Sequence, residues 1–124
     1  MPKRVLVIDD EHDIRALVCK FLDKKGFSTV AAKNGWQGMR MALRFTPDII
    51  LLDIGMPWIN GFAVLKKLKA SKKTIAIPVI MLTGRADDES KIKASNLYNE
   101  CYITKPFDLE ELESKIKEIL KIKA

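Results

Sequence analysis

Short unbroken apolar runs alternate along this chain with longer stretches in which apolar residues recur every three or four positions. Val5-Leu6-Val7-Ile8, Ile49-Ile50-Leu51-Leu52 and Val79-Ile80-Met81-Leu82 are continuous, as in strands covered on both faces. They predict strands over 4–9, over 48–53 and from Pro78 onward. Phe27 to Ala32 predicts a weaker second strand, and Tyr102-Ile103-Thr104 a short fifth one near 101–104. Between them, Ile14, Leu17, Val18, Phe21 and Leu22 keep helical spacing until Gly26 stops them. Asn34-Gly35 leads into a helix over about 35–45, with Met39, Ala42 and Leu43 on one face. Gly61 opens another, running to about Ala70 with Phe62, Val64, Leu65 and Leu68. A polar connection over 71–76 follows, and a less apolar helix is predicted from Asp87 to about Leu97. Asp108, with Glu111 three residues on, reads as a capping box for a last helix whose inner stripe is Leu112, Ile116, Ile119 and Leu120.

Five strand–helix units in 124 residues imply an α/β fold. Parallel crossovers are right-handed and lay helices over both faces of the sheet. The expected architecture is a doubly wound, five-stranded parallel sheet of order 2-1-3-4-5 with five helices, flavodoxin-like. In such sheets the site lies beyond the carboxyl ends of the strands, where the strand order reverses. Here that is between the first and third strands.

The residues at those ends carry the chemistry. The first strand runs into Asp9-Asp10, the third into Asp53, the fourth into Thr83-Gly84 and the fifth into Lys105-Pro106. One sheet edge would gather three carboxylates, a hydroxyl and an ammonium. Clustered carboxylates raise one another's pKa unless cations offset them. Lys105 supplies one positive charge, and a hard divalent ion would supply the rest. Oxygen-only ligands suit Mg²⁺, and the expected donors include no Cys or His, which argues against zinc. Asp53 is then placed to attack phosphorus, as carboxylates do in aspartyl-phosphate chemistry. The metal, Lys105 and the Thr83 hydroxyl could each neutralise one phosphoryl oxygen.

Composition narrows the class. The chain is 48% hydrophobic and 31% charged, as expected of a single globular domain over 1–124. No apolar run approaches the ~20 residues of a membrane span, and Met-Pro-Lys-Arg-Val enters a strand directly, so a cytoplasmic location is expected. Cys19 and Cys101 have no CxxC spacing and read as two reduced, largely buried thiols. The net charge of +6 raises nucleic-acid binding as a question. The lysines are scattered through 66–73 and 115–123 without interleaved aromatics, which reads as a solvated surface rather than a nucleic-acid groove.

The motifs Val7-Ile8-Asp9-Asp10-Glu11, Pro47-Asp48 through Asp53 to Pro57, Asn60-Gly61, Thr83-Gly84 and Tyr102 to Phe107 together resemble the receiver domain of two-component response regulators, over essentially the whole chain. The resemblance implies that Asp53 accepts a phosphoryl group from a histidine kinase's phosphohistidine, or from a histidine phosphotransfer protein. It implies Asp10 as a direct Mg²⁺ ligand, Asp9 as one acting through water, and the Gly55 carbonyl as a further ligand. Thr83 and Tyr102 correspond to the family's switch pair, signalling to a protein target through the fourth helix, fifth strand and fifth helix. The Lys105-Pro106 bond is cis in the family. Gly55 and Arg85 stand where residues tune the phosphoryl lifetime. Such a chain is a signalling switch rather than an enzyme with a separate substrate. With the last helix ending the sequence, it resembles single-domain receivers: a diffusible chemotaxis regulator or a phosphorelay carrier.

Departures are few. Asn60-Gly61 replaces the usual Asp-Gly, Tyr98-Asn99 the usual Gly-Ala, and Gly38 sits mid-helix at an expected cost of ~1 kcal/mol. A phosphatase with an aspartate nucleophile would need a second aspartate where Gly55 stands. A flavodoxin-type cofactor binder would need a Ser/Thr/Gly-rich loop where Asp9-Asp10-Glu11 stands. A binding module without phosphorylation is opposed by the intact Asp53, Thr83 and Lys105. His12 reads as an exposed helix-start residue, Trp36 as packing at the start of the second helix, and Trp58 as a loop cap or surface residue. Met39, Met41, Met56 and Met81 read as core or loop filling.

Overall fold

In the computed structural model, which describes residues 2–56, 59–84 and 101–122, strands and helices alternate from β1 (Arg4–Ile8) and α1 (His12–Lys24) onward. They continue through β2 (Ser28–Ala32), α2 (Gly35–Phe45), β3 (Ile49–Asp53), α3 (Gly61–Lys69), β4 (Val79–Thr83), β5 (Cys101–Thr104) and α4 (Leu109–Leu120). All pairings are parallel and the order is β2-β1-β3-β4-β5, as expected from the sequence. The helix predicted over 87–97 lies outside the described residues, as do Trp58, Arg85 and Tyr98-Asn99.

The unbroken apolar runs follow from burial on both faces. Successive side chains of a strand point to opposite sides. Leu6, Ile8, Ile50, Leu52 and Met81 therefore join Ala42 of α2 and Val64, Leu65 and Leu68 of α3. Val5, Val7, Leu51, Ile80 and Leu82 join Val18 and Leu22 of α1 and Leu112 and Ile116 of α4. Met56 and Met81 are core residues, and Met39 and Met41 pack against the same cluster.

Two helices bury less than their pattern predicts. On α2, Leu43 and Trp36 face solvent, 44% and 53% exposed, and on α1 so does Leu17. The cause in α2 is its stripe of small residues: Gly35, Gly38 and Ala42 are the buried positions. A Cβ on Gly38 would stand 2.5 Å from Ile8 Cδ1, so the missing side chain is what lets α2 lie down on β1. The ~1 kcal/mol propensity cost of Gly38 thus accompanies a close helix–strand contact.

Caps fix the helix starts. Asn34 Oδ1 accepts from the Gln37 N–H at 2.8 Å, and Asn60 Oδ1 from the Ala63 N–H at 3.0 Å. Asn60, standing where the family usually has Asp, is the N-cap of α3. Asp108 caps α4 through the Glu110 N–H at 3.0 Å rather than through Glu111, so the expected capping box is a simple aspartate cap. His12 is the exposed first residue of α1. Cys19 is half-buried and reduced.

Candidate functional site

Register builds the site. Ile8 of β1 pairs with Leu52 of β3 at the centre of the sheet, so the next residues, Asp9 and Asp53, emerge side by side. Each strand's hydrogen bonding runs one residue past its end: the Asp9 N–H donates to Ala32 O at 3.1 Å and the Ile54 N–H to Leu82 O at 3.0 Å. On the far side, the Lys105 N–H donates to Thr83 O at 2.6 Å, and the Lys105-Pro106 bond is cis.

Asp9 is fully buried and Asp53 nearly so, while Asp10 is exposed. One oxygen from each lies within 4.8 Å of the others. Asp9 divides its carboxylate: Oδ1 accepts from the Glu11 N–H at 2.9 Å and Oδ2 from Lys105 Nζ at 3.0 Å. Asp53 Oδ1 accepts from the Gly55 N–H at 3.2 Å and lies 3.6 Å from Lys105 Nζ. Glu11 Oε1 stands 3.8 Å from the same ammonium. Arg15 Nη1 donates to the Asp9 carbonyl at 2.8 Å, bracing the loop from α1.

Electrostatics mark Asp53. Burial, then the charge of Asp9 and a hydrogen bond with Asp10, push its pKa up to about 6 from 3.8, against the lowering pull of Lys105 and the Gly55 N–H. Burial alone would lower Lys105, but the Asp9 hydrogen bond and the charges of Asp53, Asp9 and Glu11 outweigh it and raise its pKa. One ammonium thus faces several carboxylates. An oxygen-only donor set with negative charge left over fits a hard divalent cation such as Mg²⁺.

Thr83 is fully buried at the end of β4. Tyr102 of β5 is half-buried and packs against the cluster that contains α3. Gly55 is exposed, and a Cβ there would meet only Asp53 Oδ1, at 3.9 Å. Gly61 is pressed onto the site loop: a Cβ there would stand 2.6 Å from Asp53 O and 2.7 Å from Ile54 Cα. The bracing by Arg15, the Glu11 contact and the demand for glycine at 61 were not anticipated; each depends on distances that spacing does not encode. Hollows of about 330 Å³ along α4 and about 310 Å³ beneath Arg4 and Asp48 lie away from these carboxylates.

Residues 5–117 match the response regulator receiver domain family. The chain is similar to the phosphate regulon transcriptional regulatory protein of Escherichia coli (strain K12), 37% identical across 98% of this chain and 53% of that protein. It is also similar to sporulation initiation phosphotransferase F of Bacillus subtilis (strain 168), 31% identical across 100% of this chain and 98% of that one. The chain therefore spans about half the length of the transcriptional regulators it matches, and nearly all of the phosphotransferase. Among solved structures, the receiver domain protein of Methanospirillum hungatei JF-1 superposes with a TM-score of 0.89 at 28% identity, covering 98% of this chain and 95% of that one. The chemotaxis protein CheY4 of Vibrio cholerae gives 0.88 at 26% identity, covering 96% and 99%. Match, fold and carboxylate cluster agree: this chain belongs to the response regulator receiver domain family.

Proposed function

We propose that residues 1–124 act as one phosphorylation-controlled switch, in which Asp53 takes a phosphoryl group from the phosphohistidine of a histidine kinase or histidine phosphotransfer protein. The observation that carries this reading is the buried Asp53, beside Asp9, Asp10 and Lys105 at the carboxyl edge of the sheet. An Asp53 oxygen attacks phosphorus, the phosphorus–nitrogen bond breaks, and the imidazole leaves with the electron pair. The Gly55 N–H holds Oδ1, and Lys105 stands 3.6 Å from it, within reach of a phosphoryl oxygen. Asp10, Asp53 and the Gly55 carbonyl would hold Mg²⁺, with Asp9 acting through water; the ion would offset charge on the phosphoryl oxygens. A phosphohistidine donor made from ATP supports a cytoplasmic location for this reaction.

Output follows from charge. The phosphoryl group brings a further negative charge and three acceptor oxygens, toward which Thr83 and Lys105 move. Tyr102 reports that movement on the surface of β5, α4 and the predicted 87–97 helix, where a protein target binds. The switch acts on itself: it catalyses its own phosphorylation and slow self-dephosphorylation. Gly55 leaves the space beside the acceptor open, and Arg85 shields the phosphoryl group, so Arg85→Ala should shorten the phosphoryl lifetime several-fold; an unchanged or longer lifetime refutes the shielding.

Acetyl phosphate with Mg²⁺ should add one phosphoryl group to wild type and none to Asp53→Asn, read by intact mass. Modification of the mutant to the same extent refutes the assignment. Beryllofluoride should shift the Thr83 and Tyr102 amides in wild type only.

A further inference from the structure

Between Lys33 and Gly84 the only carboxylates are Asp48 and Asp53. Asp53 is buried in the site, and Asp48 Oδ2 accepts the Arg4 N–H at the opposite end of the strands. The outer surface of α2 and α3 is therefore cationic, with no carboxylate of either helix to balance it. On α2, Trp36, Arg40, Leu43 and Arg44 form one exposed stripe at i, i+4, i+7 and i+8. Two of the four are large apolar side chains left outside the core, Trp36 and Leu43. Lys66 and Lys67 are exposed on α3, and Lys67 Nζ lies 5.8 Å from the centre of the Trp36 ring, joining the two helices into one surface.

We infer that the α2–α3 face is a docking surface for an acidic protein segment that carries an apolar anchor. Trp and Arg are the side chains that dominate protein interfaces: a half-exposed Trp offers large contact area at little entropic cost, and a guanidinium grips carboxylates with two parallel hydrogen bonds. Trp36 and Leu43 stand two helical turns apart, roughly 10 Å, which matches apolar anchors at i and i+7 of a facing helix. Arg40 and Arg44 beside them, with Lys66 and Lys67 on α3, complement Glu or Asp flanking those anchors. A nucleic acid fits less well, because strand-binding grooves stack successive bases on several aromatic rings and Trp36 is the one exposed ring of these two helices. A membrane surface fits less well too: interfacial helices insert a continuous apolar face, and here Arg40 divides the two apolar side chains. None of these surface residues belongs to the carboxylate cluster, so docking and phosphoryl transfer can be tested apart.

The test uses the unphosphorylated chain and a synthetic helical peptide of Glu, Ala and Leu with leucines at i and i+7. Amide shifts should map its binding to residues 36–44 and 66–67, and affinity should fall with added salt. Arg40→Glu combined with Lys67→Glu should weaken binding roughly tenfold or more. Trp36→Ala should weaken it several-fold without changing the salt dependence. Strand amide shifts and acetyl phosphate labelling of Asp53 should be unaltered in these variants, confirming an intact fold. Absence of saturable shifts on α2 and α3, or equal affinity in the charge-reversed variant, overturns the inference. So does tighter binding to oligothymidylate, or to vesicles of phosphatidylglycerol and phosphatidylcholine, than to the peptide.

Discussion

At the amino ends of β1 and β3, Asp48 and Arg4 are tied together at the surface through their backbones. Asp48 Oδ2 accepts the Arg4 N–H at 2.8 Å, the Asp48 N–H donates back to Arg4 O at 2.9 Å, and the Arg4 guanidinium lies 5.4 Å from the centre of the Phe45 ring. At the carboxyl ends of the same strands, Asp9 and Asp53 are buried, with Asp10 and Glu11 near them and, among the described residues, the Lys105 ammonium between them. The first arrangement closes a sheet edge at little cost. The second stores repulsion, which a bound cation would relieve. Stability and chemistry have been assigned to opposite ends of the same strands.

That contrast can be broken first at Gly61. A Cβ there meets the backbone of Asp53 and Ile54, which cannot yield as a flexible side chain would. Gly61→Ala should destabilise the fold by ~3 kcal/mol, the upper end of overpacking, and slow the labelling of Asp53. Urea denaturation measures the first effect; a loss under 1 kcal/mol would mean that the site loop gives way.

A second probe is the charge itself. With its folded pKa near 6 against 3.8, Asp53 costs stability once it ionises. Metal-free wild type should therefore lose stability as pH rises from about 4 through 6, whereas Asp53→Asn should not. Above pH ~7 the variant should be more stable by ~2–3 kcal/mol, and below pH ~4 the two should converge. Mg²⁺ at ten times its dissociation constant should return ~1.4 kcal/mol to wild type and much less to the variant. Melting curves across pH, with and without Mg²⁺, decide this; a wild type that gains stability through the window contradicts the stored repulsion.

The smallest effect belongs to the other end. Asp48→Asn keeps an acceptor for the Arg4 N–H, so its stability should change by less than ~0.5 kcal/mol. A larger, pH-dependent loss would show that the amino end also depends on its carboxylate.

Much of this was legible beforehand, for a definite reason. Strands buried on both faces must be continuously apolar, so β1, β3 and β4 announced themselves, and the polar residue ending each run had to lie at one edge. Distances between elements carry no such signature. Gly38 looked like a misplaced helix residue because nothing in its neighbours says that Ile8 lies against it. Trp36, Leu43 and Leu17 were credited to the core because helical spacing marks apolar residues without saying how wide the covered stripe is. The exchange of Asp for Asn at 60 is mild because a turn and an N-cap accept either side chain.

The hydrogen bond between Lys105 and Asp9 joins residues 96 apart in the chain. On a ribosome, every carboxylate of the cluster has been made long before the ammonium that restrains it. A nascent chain that stops short of residue 105 can hold the acids but not the lysine, and one that stops short of residue 101 also lacks β5, the edge strand that hydrogen-bonds to β4. On the proposed reading, competence to take a phosphoryl group waits for the last strand of the sheet, whose following lysine pairs with the carboxylate that ends the first.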